Sequence, residues 1–149
     1  IICGGSDVLI KTREGKMAGC ELVSIRKIPE LYGVVLTEDG DIRIGAATTS
    51  AILPGIRDTE IYSVLGEAVD QVGGPQVRNI GTIGGNLCNG AVSADSAPTA
   101  CSLEVLLEIA SPRGMMNILP ETALIPPHLG YELQECLKTA AINSTAGTV

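Results

Sequence analysis

Gln76-Val77-Arg78-Asn79-Ile80-Gly81-Thr82-Ile83-Gly84-Gly85-Asn86 is the stretch on which the reading of this chain turns. It runs on into Leu87-Cys88-Asn89-Gly90 and then Ser93-Ala94-Asp95. Consecutive glycines let a backbone approach a ligand closely and aim successive N–H groups at one spot. A second segment of this type, Gly4-Gly5-Ser6-Asp7, lies far away in sequence, between Ile1-Ile2 and the apolar Val8-Leu9-Ile10. Such nests bind phosphate without needing lysines, and Lys11 and Lys16 are the only lysines near the first one. Ser6, Thr82 and Asn86 add short polar donors, and Asp95 can accept hydrogen bonds from hydroxyl groups. Two distant nests could grip the two phosphates of a dinucleotide from opposite sides. Neither matches GxxxxGK[ST] or GxGxxG. A lone Gly-Gly pair is most often a plain turn, so on the residues alone a pair of phosphate loops and a pair of turns both stay open.

Outward from these loops the elements follow from periodicity and punctuation. Ile1-Ile2 reads as the end of a buried strand leading through the glycine turn into a helix at Val8. Glu21 to Ile25 is a short strand candidate, and Ile28-Pro29-Glu30-Leu31 marks a bend. Gly33 to Thr37 and Asp41 to Gly45 flank Glu38-Asp39-Gly40, a hairpin whose Asp-Gly supplies the positive φ that tight turns need. Ile42 and Ile44 alternate with Asp41 and Arg43, which gives that strand one wet face. Asp58 to Val72 is the strongest helix, with Ile61, Val64, Leu65, Ala68, Val69 and Val72 at three- and four-residue steps. Asp58 or Thr59 caps its start and Gly73-Gly74-Pro75 ends it. A second helix starts near Asp95 or Ser96 with Pro98 in its first turn. Val105 to Ala110 and Met115 to Leu119 read as strands around Ser111-Pro112-Arg113-Gly114, where Pro and Gly suit a type I turn. Beyond Pro120, Ile125-Pro126-Pro127 is extended and Glu132 to Ala141 is a helix candidate.

Composition narrows the function. The 149 residues suit one domain or two small subdomains, and 45% hydrophobic with 18% charged residues can build a core. A net charge of −7 argues against a nucleic-acid backbone or an anionic membrane as partner. With no Trp, no Phe and three Tyr, base-stacking platforms are nearly absent. No apolar run reaches the roughly 20 residues of a membrane helix. The cysteines, Cys3, Cys20, Cys88, Cys101 and Cys136, are widely spaced with no CxxC pair, so no metal or cluster site is expected in the chain. Free thiols suit a reducing cytoplasm. The first residue is Ile rather than Met, so a preceding segment is expected. His128 stands beside Pro126-Pro127 without an evident partner and reads as a loop residue, and Glu104 and Glu108 read as solvated. No Ser-His-Asp set or carboxylate pair stands out. Phosphate-type loops without acid–base groups suit a cofactor whose own ring does the chemistry.

At these residues the sequence resembles the FAD-binding subunits and domains of molybdenum hydroxylases, above all the xanthine dehydrogenase branch. Ile1-Ile2-Cys3-Gly4-Gly5-Ser6-Asp7-Val8 is similar to the family's first flavin loop, GG[TS]D after an apolar pair and a small residue. Gln76 to Asn86 is similar to its second, RN[VI]xTxGGN, and Cys88 to Ala97 to the stretch that follows. Leu107-Glu108-Ile109-Ala110-Ser111-Pro112-Arg113-Gly114 resembles its LEIxSPRG hairpin, and Ile42 to Thr49 its LRIGAxTT. The likeness runs from Ile1 to about Leu119 and continues more weakly to Val149. Family members also carry a segment before the Ile1 counterpart, a Gly-Pro-Gly-Lys-type loop between the counterparts of Met116 and Ile125, and a domain beyond Val149. They often have a lysine near the flavin ring where Leu133 or Gln134 stands here.

The resemblance implies an α+β, two-subdomain FAD-binding fold of the vanillyl-alcohol oxidase and CO dehydrogenase flavoprotein type, divided here into residues 1–57 and 58–149. It implies that Ile1, Ile2, Cys3, Gly4, Gly5, Ser6, Asp7 and Val8, with Thr82, Ile83, Gly84, Gly85 and Asn86, hold the pyrophosphate and nearby groups of FAD, with Asp95 close by. It also implies electron flow from molybdopterin through [2Fe–2S] clusters on partner iron–sulfur and molybdenum subunits to this flavin, and on to NAD. Two alternatives stay open. One is the FAD subunit of a related CO, nicotinate or aldehyde dehydrogenase; the other is a truncated, non-catalytic docking domain.

Overall fold

A computed structural model of the chain describes residues 1–52, 60–91, 93–111, 113–118 and 142–143. In chain order these form α1 (Val8–Arg13), a 3-10 turn at Pro29–Leu31, β1 (Val34–Leu36), β2 (Ile42–Ile44) and α2 (Glu60–Asp70). Then come α3 (Pro75–Ile80), α4 (Ile83–Asn89), α5 (Ser96–Ser102), β3 (Leu106–Ser111), β4 (Gly114–Ile118) and β5 (Ile142–Asn143). β1 and β2 pair antiparallel, with Val34 opposite Ile44 and Leu36 opposite Ile42. The other sheet runs β4-β3-β5, antiparallel throughout. The fold is α+β, as the sequence leads one to expect.

The hairpin forms where Asp39-Gly40 places it. Gly40 takes φ +87°, its amide donates to the Thr37 carbonyl, and the Thr37 amide donates to that of Asp41. Ile42 and Ile44 are buried while Arg43 between them is exposed, so the one wet face is present. Ile42 and Ile44 join Leu65 and Val69 of α2, Ile83 and Leu87 of α4, Ala97 and Ala100 of α5, and Val105 and Leu107 in one apolar cluster. Burying a side chain of this size stabilises the fold by about 1.5–3 kcal/mol. The cluster draws on both sides of residue 57, so β2 and α4 share one core.

Several expectations change. Ile1 is exposed and Ile2 half-buried, and in place of a buried strand a single parallel bridge joins Ile2 to Ser24. The candidate strand at Glu21 to Ile25 shrinks to that bridge. Val64 is 50% exposed, although it shares the helical period with the buried Leu65 and Val69. Glu108 is only 21% exposed at its side chain and pairs with Arg43 at 2.9 Å, so it is not simply solvated. Glu104 does follow a helix end, with φ +48°. α2 ends before Gly73, whose φ is +49°, as the glycine pair indicates. The caps expected at Asp58 and Thr59, Pro112, His128 and the helix candidate at Glu132 to Ala141 lie outside the described residues.

Candidate functional site

The larger correction concerns the second glycine segment. Residues 75–89 are two short helices, not an open loop. Thr82 caps α4, its Oγ1 accepting the Gly85 amide at 3.2 Å, and Gly90 ends the helix in the left-handed conformation. Glycine is a poor helix former. Tertiary contact explains its presence here. A β-carbon on Gly84 would meet the Ala46 β-carbon at 2.7 Å and its carbonyl oxygen at 2.8 Å. Only glycine lets α4 lie this close to the chain leaving β2.

Counting donors then redistributes the expected roles. The Ile83 amide donates to the Thr48 carbonyl at 3.1 Å, that of Gly84 to the Ala46 carbonyl at 3.0 Å, and that of Asn86 to the Thr82 carbonyl at 2.9 Å. With Gly85 spent on the cap, the amides from Ile83 to Asn86 are all engaged inside the fold. They are not a second phosphate nest. Arg78, within the same motif, donates to the carbonyls of Gly73 at 2.7 Å and Val72 at 3.3 Å, and so caps the end of α2.

The first segment behaves as expected. Ile2 is pinned by its amide to the Val23 carbonyl at 2.8 Å, and its own carbonyl accepts the Ile25 amide at 3.0 Å. The chain then turns through Gly5 at φ +82°, a value that disfavours other residues. The Gly5 carbonyl accepts the Leu9 amide, and Asp7 precedes α1 without a side-chain cap bond. Among the described residues the amides of Gly5, Ser6 and Asp7 meet no acceptor. Successive open amides at a positive-φ glycine are the kind of backbone that can cradle an anion.

The two segments meet. A β-carbon on Gly4 would fall onto the Ile80 carbonyl oxygen, and one on Gly81 would lie 3.9 Å from Ser6 Oγ. Lys11 Nζ of α1 donates to Asn89 Oδ1 at the end of α4, at 2.8 Å. Cys3 hydrogen-bonds the Thr82 side chain; burial pushes the Cys3 thiol up, against the pull of that bond, Arg26 and the Gly4 amide. Burial also pushes Cys88 on α4 up to about 12, with Cys3 nearby adding to the rise. Thr82 and Asn89 stand seven residues apart on a helix, with Asn86 between them at the i+4 step. Thr82 and Asn89 are the two of these tied to the first segment, through Cys3 and Lys11. Ser96 Oγ of α5, fully buried, donates to Asn86 Oδ1 at 2.5 Å.

Of the residues singled out in the sequence, Cys3 thus touches Thr82, and Gly4 and Ser6 lie against Ile80 and Gly81. Ile1 is exposed beside them, and Ile83 and Gly84 face the core. Asp95 is exposed at the start of α5 and makes no hydrogen bond among the described residues. Sequence reasoning did not reach the ties from Lys11 to Asn89 and from Ser96 to Asn86. Their partners lie 78 and 10 residues apart, and no spacing rule connects them. Among the described residues no group of His, Cys, Asp or Glu could hold a metal ion, and no helix is long and apolar enough to cross a membrane.

Open amides beside a close-packed glycine crossing suit a diphosphate, and the chain is similar to proteins named for FAD binding. The family model described as the FAD binding domain in molybdopterin dehydrogenase matches residues 1–126. The xanthine dehydrogenase FAD-binding subunit of Escherichia coli O157:H7 is 43% identical over 116 residues, which covers 77% of this chain and 40% of that protein. The nicotinate dehydrogenase FAD-subunit of Eubacterium barkeri is 35% identical over 117 residues, covering 76% of this chain and 38% of that protein. The chain therefore spans about two fifths of the length of these relatives. A carbon monoxide dehydrogenase structure from Hydrogenophaga pseudoflava, lacking the Mo-pyranopterin moiety, superposes with a TM-score of 0.83 at 24% identity. That match covers 98% of this chain and 51% of the other, and speaks for the fold alone. With the crossing of the two glycine segments, these matches establish that the chain belongs to the family of FAD-binding domains of molybdopterin dehydrogenases.

Proposed function

We propose that this chain is the FAD-holding part of a xanthine dehydrogenase-type molybdenum hydroxylase, an oxidoreductase component that passes electrons between partner chains and a soluble acceptor. The observation that carries this reading is the run of open amides at Gly5, Ser6 and Asp7, beside the place where Gly4 and Ser6 cross Ile80 and Gly81. These residues fit a diphosphate: the amides donate to its oxygens, Gly4 and Gly81 leave room for two backbones to cross, and no lysine is required. In this reading Ile1, Ile2, Cys3, Gly4, Gly5, Ser6, Asp7 and Val8 form one wall of the site. Thr82, Ile83, Gly84, Gly85 and Asn86 form the other, and Asp95 reaches the ribose or ribityl hydroxyls. Residues 1–57 and 58–149 then act as two subdomains, each supplying one wall.

The roles differ within the set. Gly5, Ser6 and Asp7 donate; Gly4, Gly81 and Gly84 permit close approach; Thr82 and Cys3 tie the walls together. When bound, FAD supplies a ring that takes up and releases electrons, which is why the protein need not provide an acid–base pair. Molybdopterin and [2Fe–2S] clusters belong to partner molybdenum and iron–sulfur subunits in this proposal, NAD is the acceptor, and the setting is cytoplasmic. The 43% identity to a xanthine dehydrogenase FAD-binding subunit favours that branch over the nicotinate branch at 35%.

The test is the absorption spectrum of the purified full chain, with the released cofactor identified after acid denaturation. Stoichiometric FAD supports the reading, and a colourless protein that takes up no added FAD overturns it. Anaerobic bleaching of the flavin by NADH supports NAD as the acceptor, and a flavin that NADH leaves oxidised contradicts it.

A further inference from the structure

We infer that Ser96 is a positioning residue that fixes the direction of the Asn86 carboxamide, so that this side chain serves the bound nucleotide as a hydrogen-bond donor. The inference rests on the proposed FAD site and adds to it a side-chain donor on α4. A carboxamide carries an acceptor on one side and two donors on the other, and its direction is set by its neighbours. Ser96 is fully buried on α5 and its hydroxyl donates to Asn86 Oδ1 at 2.5 Å. The acceptor side of Asn86 is thereby committed to α5. Asn86 Nδ2 meets no acceptor among the described residues and is not sealed from solvent. Asn86 lies between Thr82, which touches Cys3, and Asn89, which Lys11 holds. Asn86 thus stands one turn from each of the two α4-side residues that are tied to the first glycine segment.

The backbone donors at the start of α4 are otherwise spent. The backbone amides from Ile83 to Asn86 are engaged, and the Thr82 hydroxyl serves the Gly85 amide and Cys3. Without the Ser96 hydroxyl, nothing among the described residues distinguishes the two ends of the Asn86 carboxamide. Half of its orientations would then present an oxygen where an oxygen of the nucleotide has to sit. The ligand chemistry implied is a phosphate or carbonyl oxygen, bound by an oriented carboxamide N–H.

The test is a double-mutant cycle on FAD affinity in the full chain, read by quenching of flavin fluorescence on titration into apoprotein. Ser96→Ala is expected to weaken FAD about fivefold to tenfold, the size of one lost hydrogen bond. Asn86→Ala is expected to weaken it by at least as much. In the Asn86→Ala background Ser96→Ala should cost nothing further, because there is no carboxamide left to orient. A merely structural Ser96 would give the same loss in both backgrounds, and that result overturns the inference, as does an unchanged affinity in Ser96→Ala. A melting curve of each apoprotein separates misfolding from lost orientation. If Ser96→Ala lowers the melting temperature, Ser96→Thr, which keeps the hydroxyl, should restore affinity, and failure to do so also counts against it. A wild-type chain that binds no FAD would instead sink the proposed function, so the two failures read differently.

Discussion

Replacing Gly4 with alanine tests the crossing of the two segments most sharply. The new methyl would fall onto the Ile80 carbonyl oxygen, with the Ile80 carbonyl carbon at 2.9 Å and the Gly81 α-carbon at 3.2 Å. These are backbone atoms, and they cannot swing aside. The Gly81 amide is bonded to the Val77 carbonyl at 2.6 Å, and the Gly81 carbonyl accepts the Ser50 amide at 3.0 Å. The first segment is tied to Val23 through Ile2. The two walls must therefore separate. Overpacking of this kind costs typically 1–3 kcal/mol, and a clash with pinned backbone lies at the upper end, about 3 kcal/mol. If that displacement falls on the bound state, FAD affinity drops about 100-fold, since about 1.4 kcal/mol is a factor of ten. The assay is a fluorescence titration of apoprotein with FAD, beside a thermal melt. Gly15→Ala is the control, because nothing lies within 4 Å of its new methyl, although Gly15 has a positive φ of +75°. It should cost about 1 kcal/mol of stability through strain alone and leave FAD affinity unchanged. A Gly4→Ala chain that binds FAD within about twofold of wild type would refute this reasoning.

Further outcomes follow from the same contacts. Gly84→Val should destabilise the apoprotein by about 3 kcal/mol or more, because its side chain enters Ala46; denaturant titration would read this, and a wild-type midpoint would refute it. Cys88 should stay protonated at neutral pH, since burial pushes its thiol up to about 12 from an ordinary 9.0. The unfolded thiol ionises first, so the stability this thiol provides is complete below about pH 9 and falls away towards about pH 12. Cys88→Ala should flatten that alkaline slope in melts taken across the range. Arg43→Ala should cost less than about 1 kcal/mol, because its pair with Glu108 is half-open to solvent, and the effect should shrink in high salt.

Much of the fold was legible. The hairpin could be read because Asp39-Gly40 sets the turn and Ile42 and Ile44 alternate with polar residues. α2 could be read because Leu65 and Val69 repeat at the helical step. α4 could not, because Gly84 and Gly85 are poor helix formers and the helix is held by a cap, a core face and the approach to Ala46. None of these is a local signal. The meeting of the two glycine segments was legible from chemistry, since each looked like half of a diphosphate grip. Which amides remain open was not. That depends on Thr48 and Ala46 taking the Ile83 and Gly84 amides across nearly forty residues of chain, a fact of tertiary structure. Nor was the role of Arg78 legible, since its bonds to Val72 and Gly73 at the end of α2 again depend on the folded chain.

Residue-resolved amide spectra of the isotopically labelled chain, recorded with and without FAD, test the central claim most directly. Resonances of Gly5, Ser6 and Asp7 should move strongly and their hydrogen exchange should slow as they acquire acceptors, while Ile83 and Gly84, already bonded, should be protected from the outset. FAD binding that leaves the Gly5, Ser6 and Asp7 amides in fast exchange would contradict the claim.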